Sequence, residues 1–363
     1  MEHFVLYPYI FEAKLFDVRK KMKILLVKTS SLGDIIQTLS VVSFLKEKYP
    51  EAEIDWVVEK PFREILEAHP DIHTVIPIEM RIWRKNLIKH RGAIRLAIKR
   101  LRCKNYDLLF DLQGNIKSAL ITKCVRAKEK VGTTFKSAPE WPNALALTRR
   151  YPLNKKDPIS LQYLSIAQQH FSLKPYPINT SLTLTITQKE STWLHLELKG
   201  EHRTMICPGS HWENKKLSLP TWIELLKELL QRKETYFYLV WGSPKEEQEA
   251  LALHAQFPSH STVLPKMRLP LWQNFMSHMD VIYTVDSSAL HLAATTAVPT
   301  LSFFGPSNAA VYKPPQNIHQ AFQGTCPYGK TFTKRCPALR TCKTGACLKD
   351  ISPKMLLNSL SID

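Results

Sequence analysis

Residues 23–28, KILLVK, form a short, nearly continuous apolar run that ends in a polar turn, Thr29-Ser30-Ser31-Leu32-Gly33-Asp34, and reopens as a helix-patterned stretch from Ile35 to Lys48. A run that is apolar at almost every position suits a parallel strand covered on both faces, because a strand with one wet face alternates instead. The same unit then recurs. Strands are expected at 53–58, 74–78 and 107–111, with helices around 62–68 and from Asn115 onward. After a proline-punctuated stretch from 151 to 183, strands are expected at 204–207, 236–241, 281–285 and 300–304. Helices are expected at 220–232, 246–255 and 288–296, with a last one over 351–360. Such alternation predicts an α/β chain built on parallel sheets. Two units joined near residues 174–183 are the economical arrangement for 363 residues, because a domain takes about 100–200. Open parallel sheets bind ligands beyond the carboxyl ends of their strands, so the cleft between the units is the expected site.

Charge narrows the partner. The chain has 50 Lys and Arg against 32 Asp and Glu, a net +18, which implies an anionic partner: nucleic acid, a phospholipid surface or a phosphorylated small molecule. Ten of those cations, and no acid, fall between Arg81 and Lys104. Ile94, Ala97, Ile98 and Leu101 recur there at helical spacing, so an amphipathic helix with a basic outer face is expected. The preceding Met80-Arg81-Ile82-Trp83-Arg84-Lys85 mixes cations with an aromatic, as suits an anionic sugar or lipid headgroup; a solvated face without a ligand fits the pattern equally well. Nucleic acid is disfavoured, because regular stacking platforms and a helix-turn-helix pattern are both missing.

The chain contains no run of about 18 apolar residues that could cross a bilayer. Residues 1–22 lack the basic start and small-residue cleavage site of a secretory signal. The protein is therefore expected to be cytoplasmic and in contact at most with a membrane surface. Met22-Lys23 directly precedes the first strand, so residues 1–21 are expected to be an N-terminal extension or a weak membrane-contact segment. Cys103, Cys124 and Cys207 are scattered as in a reduced compartment. Cys326, Cys336, Cys342 and Cys347 crowd the tail with nine, five and four residues between them. Without a Cys-x-x-Cys pair, packing or surface thiols are expected there rather than structural zinc.

Neither G-x-G-x-x-G after the first strand nor G-x-x-x-x-G-K-[ST] occurs, which argues against a dinucleotide dehydrogenase or a P-loop NTPase. Three loops remain as candidates. In Lys28–Asp34, small residues let a ligand approach, and Asp34 suits either a general base or a helix cap. In Tyr283–His291, Ser287 and Ser288 open a helix where an anion is favoured, with Asp286 and His291 beside them; an ordinary cap with a half-buried histidine fits as well. Cys207–Lys216 sets a glycine turn before two lysines, which form either a phosphate clamp or a solvated pair.

Together these segments resemble glycosyltransferase family nine, on its lipopolysaccharide heptosyltransferase I branch. MKILLVKTSSLGDIIQTL, DWVVEKPFREILEAHPDIHTVIPIEMRIWRKN and YDLLFDLQGNIKSAL are similar to its acceptor side. WGSPKEE, VLPKM, VDSSALHLAA and FFGPSN are similar to its nucleotide-sugar side. The likeness runs from about Met22 to Lys313. It implies a GT-B fold, two Rossmann-like parallel-sheet domains facing a cleft: 22–178 for the acceptor and 179–345 for the nucleotide sugar, with 346–363 a C-terminal helix packing back on the first. It also implies inverting, metal-independent transfer of L-glycero-D-manno-heptose from ADP-heptose to Kdo-lipid A, with no cofactor. Asp34 matches the catalytic base. Ser210, His211, Lys215, Glu246, Met267, Asp286, Ser287, Ser288 and His291 match donor-side positions, with Glu247 an alternative to Glu246. Ser31, Arg81, Trp83, Arg84, Lys85, Gln113 and Lys117 are expected on the acceptor side. Two departures stand out. Ser287-Ser288 replaces the family's usual Thr-Gly, which adds a side chain beside the diphosphate. The tail around Cys336-Pro337 and Cys347 is closer to the heptosyltransferase II branch. That branch, another family-nine transferase, or a non-catalytic basic protein binding polyanions or membrane are the alternatives.

Overall fold

The computed structural model describes residues 21–174 and 181–359. The expected N-terminal extension lies outside them but for Lys21, as does the core of the expected boundary near 174–183. Twelve strands form two six-stranded sheets, every pairing parallel. The first sheet contains β1 (Lys23–Val27), β2 (Glu53–Glu59), β3 (Thr74–Ile78), β4 (Asn105–Asp111), β5 (Arg126–Thr133) and β6 (Arg149–Tyr151), in the order 3-2-1-4-5-6. The second contains β7 (Arg203–Cys207), β8 (Tyr236–Leu239), β9 (Ser261–Val263), β10 (Val281–Val285), β11 (Thr300–Phe304) and β12 (His319–Gln323), in the order 12-11-10-7-8-9. Numbered from its own first strand, the second sheet reads 6-5-4-1-2-3, the order of the first in reverse. Each half is thus a doubly wound Rossmann-like unit with its switch point between its first and fourth strands.

The apolar run of β1 does what its composition dictates. Ile24 and Leu26 enter one cluster and Leu25 and Val27 another, on opposite faces, and all four are fully buried. The first cluster continues without a break into the second half, through Met205, Cys207, Tyr238, Phe275 and Ile282. Helix Leu32–Lys48 packs against helices Ile159–His170 and Ser288–Ala293, so it lies where the halves meet. Beside it, an added Cβ on Gly33 would come 2.9 Å from Cδ2 of His291, closer than a side chain tolerates, so glycine lets the two halves touch there.

Several elements depart from expectation. Helix Ile159–His170 occupies the stretch where the pattern fades, because Gln162, Ser165 and Gln168 are buried along with its apolar residues and no amphipathic stripe results. β5, RAKEKVGT, carries charges along its first half. The C-terminal helix Pro353–Ser359 packs on helix Leu219–Arg232 of the second half, with Leu356 fully buried among Trp222, Leu225 and Leu226. The expectation that it packs back on the first half is thereby corrected: its apolar residue meets the stripe on 219–232 instead. Among the described residues, no helix is long and apolar enough to cross a membrane.

Candidate functional site

A cleft of about 1010 Å³ opens between the halves, beyond the carboxyl ends of β1, β7, β8 and β10. Ser31 to Asp34 line it from the first half, together with Arg81. The second half supplies Gly209 to Glu213, Lys215, Lys216, Asp286 to Ala289 and His291. The loops after β1, β7 and β10 are the switch-point loops, so the sheet order places them.

Asp34 sits in the first turn of its helix, half-buried. Its Oδ2 accepts from the Ser31 backbone N–H at 3.1 Å and from Ser31 Oγ at 2.6 Å, and its Oδ1 accepts from the Tyr163 hydroxyl at 3.1 Å. One oxygen thus completes a capping interaction with Ser31 and the other is held from Tyr163, on a residue that lines the cleft. Burial pushes this carboxyl up, but the Lys28 charge and the Ser31 and Tyr163 hydrogen bonds outweigh it and hold it below its ordinary range.

The loop before Asp34 is clasped from β4. The fully buried Asp111 accepts from Gln113 N at 3.1 Å, Gly114 N at 3.0 Å, Thr122 Oγ1 at 3.0 Å and Asn143 Nδ2 at 2.6 Å. Gln113, oriented by that turn, accepts through Oε1 from Thr29 N at 2.9 Å and Ser30 N at 3.1 Å. Its amide oxygen thus shapes the loop, and it lies behind the cleft lining.

In the second half, Lys215 Nζ donates to Asp286 Oδ2 at 2.6 Å, with both residues buried. Asp286 is pushed up by its burial, yet Lys215 brings its net shift below the ordinary value. Nζ has three donors, so this bond leaves others for a ligand. His291 is buried between Asp286 and Asp34. Burial lowers its pKa against the pull of both carboxylates. Its Nε2 lies 3.4 Å from Gln37 Nε2 of the first half. Ser210 Oγ donates to the Asp286 carbonyl at 3.4 Å.

Glu246, rather than Glu247, lines the cleft; its Oε2 accepts from Gly242 N at 2.9 Å and Ser243 N at 3.1 Å. An added Cβ on Gly209 would lie 2.6 Å from that carboxylate, so a side chain there would displace it from its place against the loop.

Of the remaining candidates, all but Arg81 lie off the cleft lining. Met267 packs half-buried on the apolar core. Trp83 anchors its short helix against the cluster of Ile78 and Tyr106. Arg84, Lys85 and Lys117 are exposed. Arg81 remains at the cleft, its guanidinium 5.6 Å from the Phe62 ring centroid. Several residues that line or support the cleft, Tyr163, Arg335 and Arg340 among them, were not anticipated. Lys28 and Tyr163 stand behind Asp34. Arg335 and Arg340 reach the cleft from the cysteine-rich tail loop, Arg335 lying 4.8 Å from the Tyr312 ring centroid. The four tail cysteines line one small cavity at the base of that loop. Among the described residues, no group of three or more His, Cys, Asp or Glu converges as metal ligands.

A family model described as glycosyltransferase family 9 (heptosyltransferase) matches residues 94–341. The chain is 34% identical over 289 residues to lipopolysaccharide heptosyltransferase 1 of Pseudomonas aeruginosa, covering 79% of each chain. It is 29% identical over 297 residues to the protein of that name from Escherichia coli K12, covering 79% of this chain and 89% of the relative. Among solved structures, E. coli heptosyltransferase WaaC with ADP matches with a TM-score of 0.73 at 25% identity, over 84% of this chain and 94% of that one. The expected GT-B fold is thus the fold of this chain.

Proposed function

We propose, from the premise that this chain belongs to glycosyltransferase family 9, the heptosyltransferases, that it transfers L-glycero-D-manno-heptose from ADP-heptose to Kdo of Kdo-lipid A in lipopolysaccharide core synthesis. The observation that carries this reading is one cleft with a lone carboxylate, Asp34, on one wall and a buried Lys215–Asp286 couple on the other. The first suits an acceptor hydroxyl and the second a leaving diphosphate.

In the mechanism, the Kdo hydroxyl attacks the anomeric carbon of the heptose from the face opposite the diphosphate. The new C–O bond forms as the bond to the β-phosphate oxygen breaks, and the anomeric configuration inverts. Asp34 takes the hydroxyl proton. Its Oδ1 accepts a single hydrogen bond within the protein, and a carboxylate offers about four lone-pair directions in all, so a site remains open for that proton. Lys215, with the loop of Ser287 and Ser288 and the arginines Arg335 and Arg340, compensates the charge growing on ADP. Arg81 at the cleft and the basic stretch beyond it take the acceptor's carboxylates and phosphates.

The acceptor's lipid end places the reaction at the cytoplasmic face of an inner membrane, and the acid-free basic stretch suits its anionic surface. The purified protein, given ADP-heptose and Kdo-lipid A with a chelator present, should release ADP and add the mass of one heptose. Transfer only to an already heptosylated acceptor would instead assign it to the heptosyltransferase II reaction. Salt-sensitive polyanion binding without donor consumption would mark a non-catalytic protein.

A further inference from the structure

We infer that Lys28 and Tyr163 form a buried positioning pair that fixes which oxygen of Asp34 is open and in which charge state it meets the acceptor. The inference rests on Asp34 being the base. Lys28 follows β1 and is 3% exposed. Its Nζ donates to the Leu112 carbonyl at 3.1 Å and to the Tyr163 hydroxyl at 2.7 Å, and it lies 4.1 Å from the centroid of the same ring. Among the described residues, no carboxylate forms a direct ion pair with it. A buried ammonium held by neutral partners is costly, and donating to the Leu112 carbonyl does not require a charge.

The polarity of the chain supplies the reason for that charge. An ammonium only donates, and a tyrosine hydroxyl has one hydrogen. Tyr163 therefore accepts from Lys28, and its own hydrogen is left for Asp34 Oδ1, 3.1 Å away. Lys28 thus acts on Asp34 both through the oriented hydroxyl and through its field. A proton arriving on Asp34 cannot settle on the lone pair that faces Tyr163 or on those that face Ser31, so it lodges on the side open to the cleft.

Tyr163 also ties this setting to the second half. It stands on helix Ile159–His170 and packs with the cluster of Leu290, Val311 and Tyr312. The other groups facing Asp34 are Ser31, His291 from helix Ser288–Ala293, and Tyr312 with Arg335 beside it; Asp286 stands behind His291 and Asp111 behind Lys28. Of these, only the Lys28–Tyr163 pair joins a basic group to Asp34 through a fixed hydrogen-bond direction; burial lowers the Lys28 pKa, and the Asp34 and Asp111 carboxylates pull it back up.

The test is the pH profile of kcat/KM for heptose transfer by the full chain carrying Tyr163→Phe or Lys28→Met, with ADP affinity and thermal melting as checks on folding. Removing the pair takes away two of the influences that lower the Asp34 pKa. The acid limb should therefore move to higher pH in both variants, further in Lys28→Met. At neutral pH, kcat should fall roughly ten- to hundredfold while the donor KM stays within about twofold, magnitudes typical of misplacing a general base. The double variant should be little worse than Lys28→Met alone, because both act through one chain of contacts. An acid limb in Tyr163→Phe that superimposes on the parent's would overturn the inference and leave Tyr163 a packing residue. If Lys28→Met does not fold, the Tyr163→Phe limb still decides. Near-normal turnover by a folded Asp34→Asn variant would instead remove the base assignment, an outcome distinct from failure of the pair.

Discussion

Each half of the molecule buries a lysine beside an aspartate of the cleft, and the two couples are wired differently. Lys215 meets Asp286 directly at 2.6 Å. Lys28 reaches Asp34 only through the Tyr163 hydroxyl. A direct ion pair satisfies both charges and is stiff, which suits a wall that receives a diphosphate. A couple separated by a hydroxyl keeps the carboxylate ionised but leaves part of it unoccupied, which suits a wall that removes a proton. Both carboxyls are lowered below their ordinary range against the upward push of burial, so the contrast lies in geometry and not in charge state.

The largest effect expected from this contrast is on turnover. Asp34→Asn keeps the shape of the side chain and removes the proposed base. It should lower kcat about 10²- to 10⁴-fold, the usual contribution of general base catalysis, with ADP affinity by calorimetry close to the parent's. Lys215→Met should fail in a different way. It leaves Asp286 buried and unpaired, which costs about 3–5 kcal/mol when a buried pair loses one partner, and it should raise the donor KM. Urea unfolding and donor titration report both. If the two variants gave the same pattern, with kcat lost and both stability and KM unchanged, the distinction between the walls would be wrong.

Acid should act on both couples alike. A carboxyl whose folded pKa is depressed adds stability above its unfolded value of about 3.9 and loses that stability as pH falls through the folded pKa. Asp34 and Asp286 therefore stabilise at neutral pH and stop doing so only in strong acid. Asp111 has the opposite sign, because its burial outweighs its hydrogen bonds and raises it; its term favours folding at low pH and is lost as pH rises through the folded value. Urea midpoints from pH 3 to 7 should fall toward acid in the parent and less steeply in Asp286→Asn.

How far these walls could be read from the chain follows the same division. Asp34, Lys215, Asp286 and His291 stand in strand-to-helix turns or in the first turns of the helices that follow, and local pattern exposes such turns. Tyr163 stands 135 residues from Lys28, on a helix whose buried glutamines erase the periodicity that would have revealed it. Arg335 and Arg340 belong to an irregular loop whose path depends on contacts such as Asn214 Nδ2 with the Leu339 carbonyl at 2.7 Å. Trp83 and Gln113 were expected to contact a ligand, but whether a residue faces a ligand or shapes the backbone is decided by packing, and here Trp83 joins an apolar cluster and Gln113 holds the backbone of Thr29 and Ser30.

A third set of cations sharpens the contrast because no ion pair among the described residues holds it. Arg84, Lys85 and Lys89 are exposed, and beside them Leu87 and Ile88 are 63% and 80% exposed. Cations near an anionic membrane are worth about 1 kcal/mol each. Replacing the three by Ala should therefore lower partitioning onto phosphatidylglycerol vesicles in a salt-dependent way, while transfer to a soluble Kdo acceptor changes far less. Unchanged vesicle binding would detach this stretch from any membrane role.

The smallest effect should come from the ion pairs that join the halves at the surface. Arg268 donates to Glu64 of the first half at 3.0 Å and to Glu190 of the second at 2.8 Å, with a side chain 47% exposed. It bridges the same two halves as the buried contacts, but in water. Exposed pairs are worth about 0–1 kcal/mol and weaken with salt. Arg268→Ala should accordingly cost no more than about 1 kcal/mol, with the loss shrinking toward zero at high salt. Losing Lys215 should cost several times more and respond little to salt, because its surroundings exclude the ions that screen. Equal costs at equal salt dependence would mean that burial is not what separates the couples of the cleft from the charges around it.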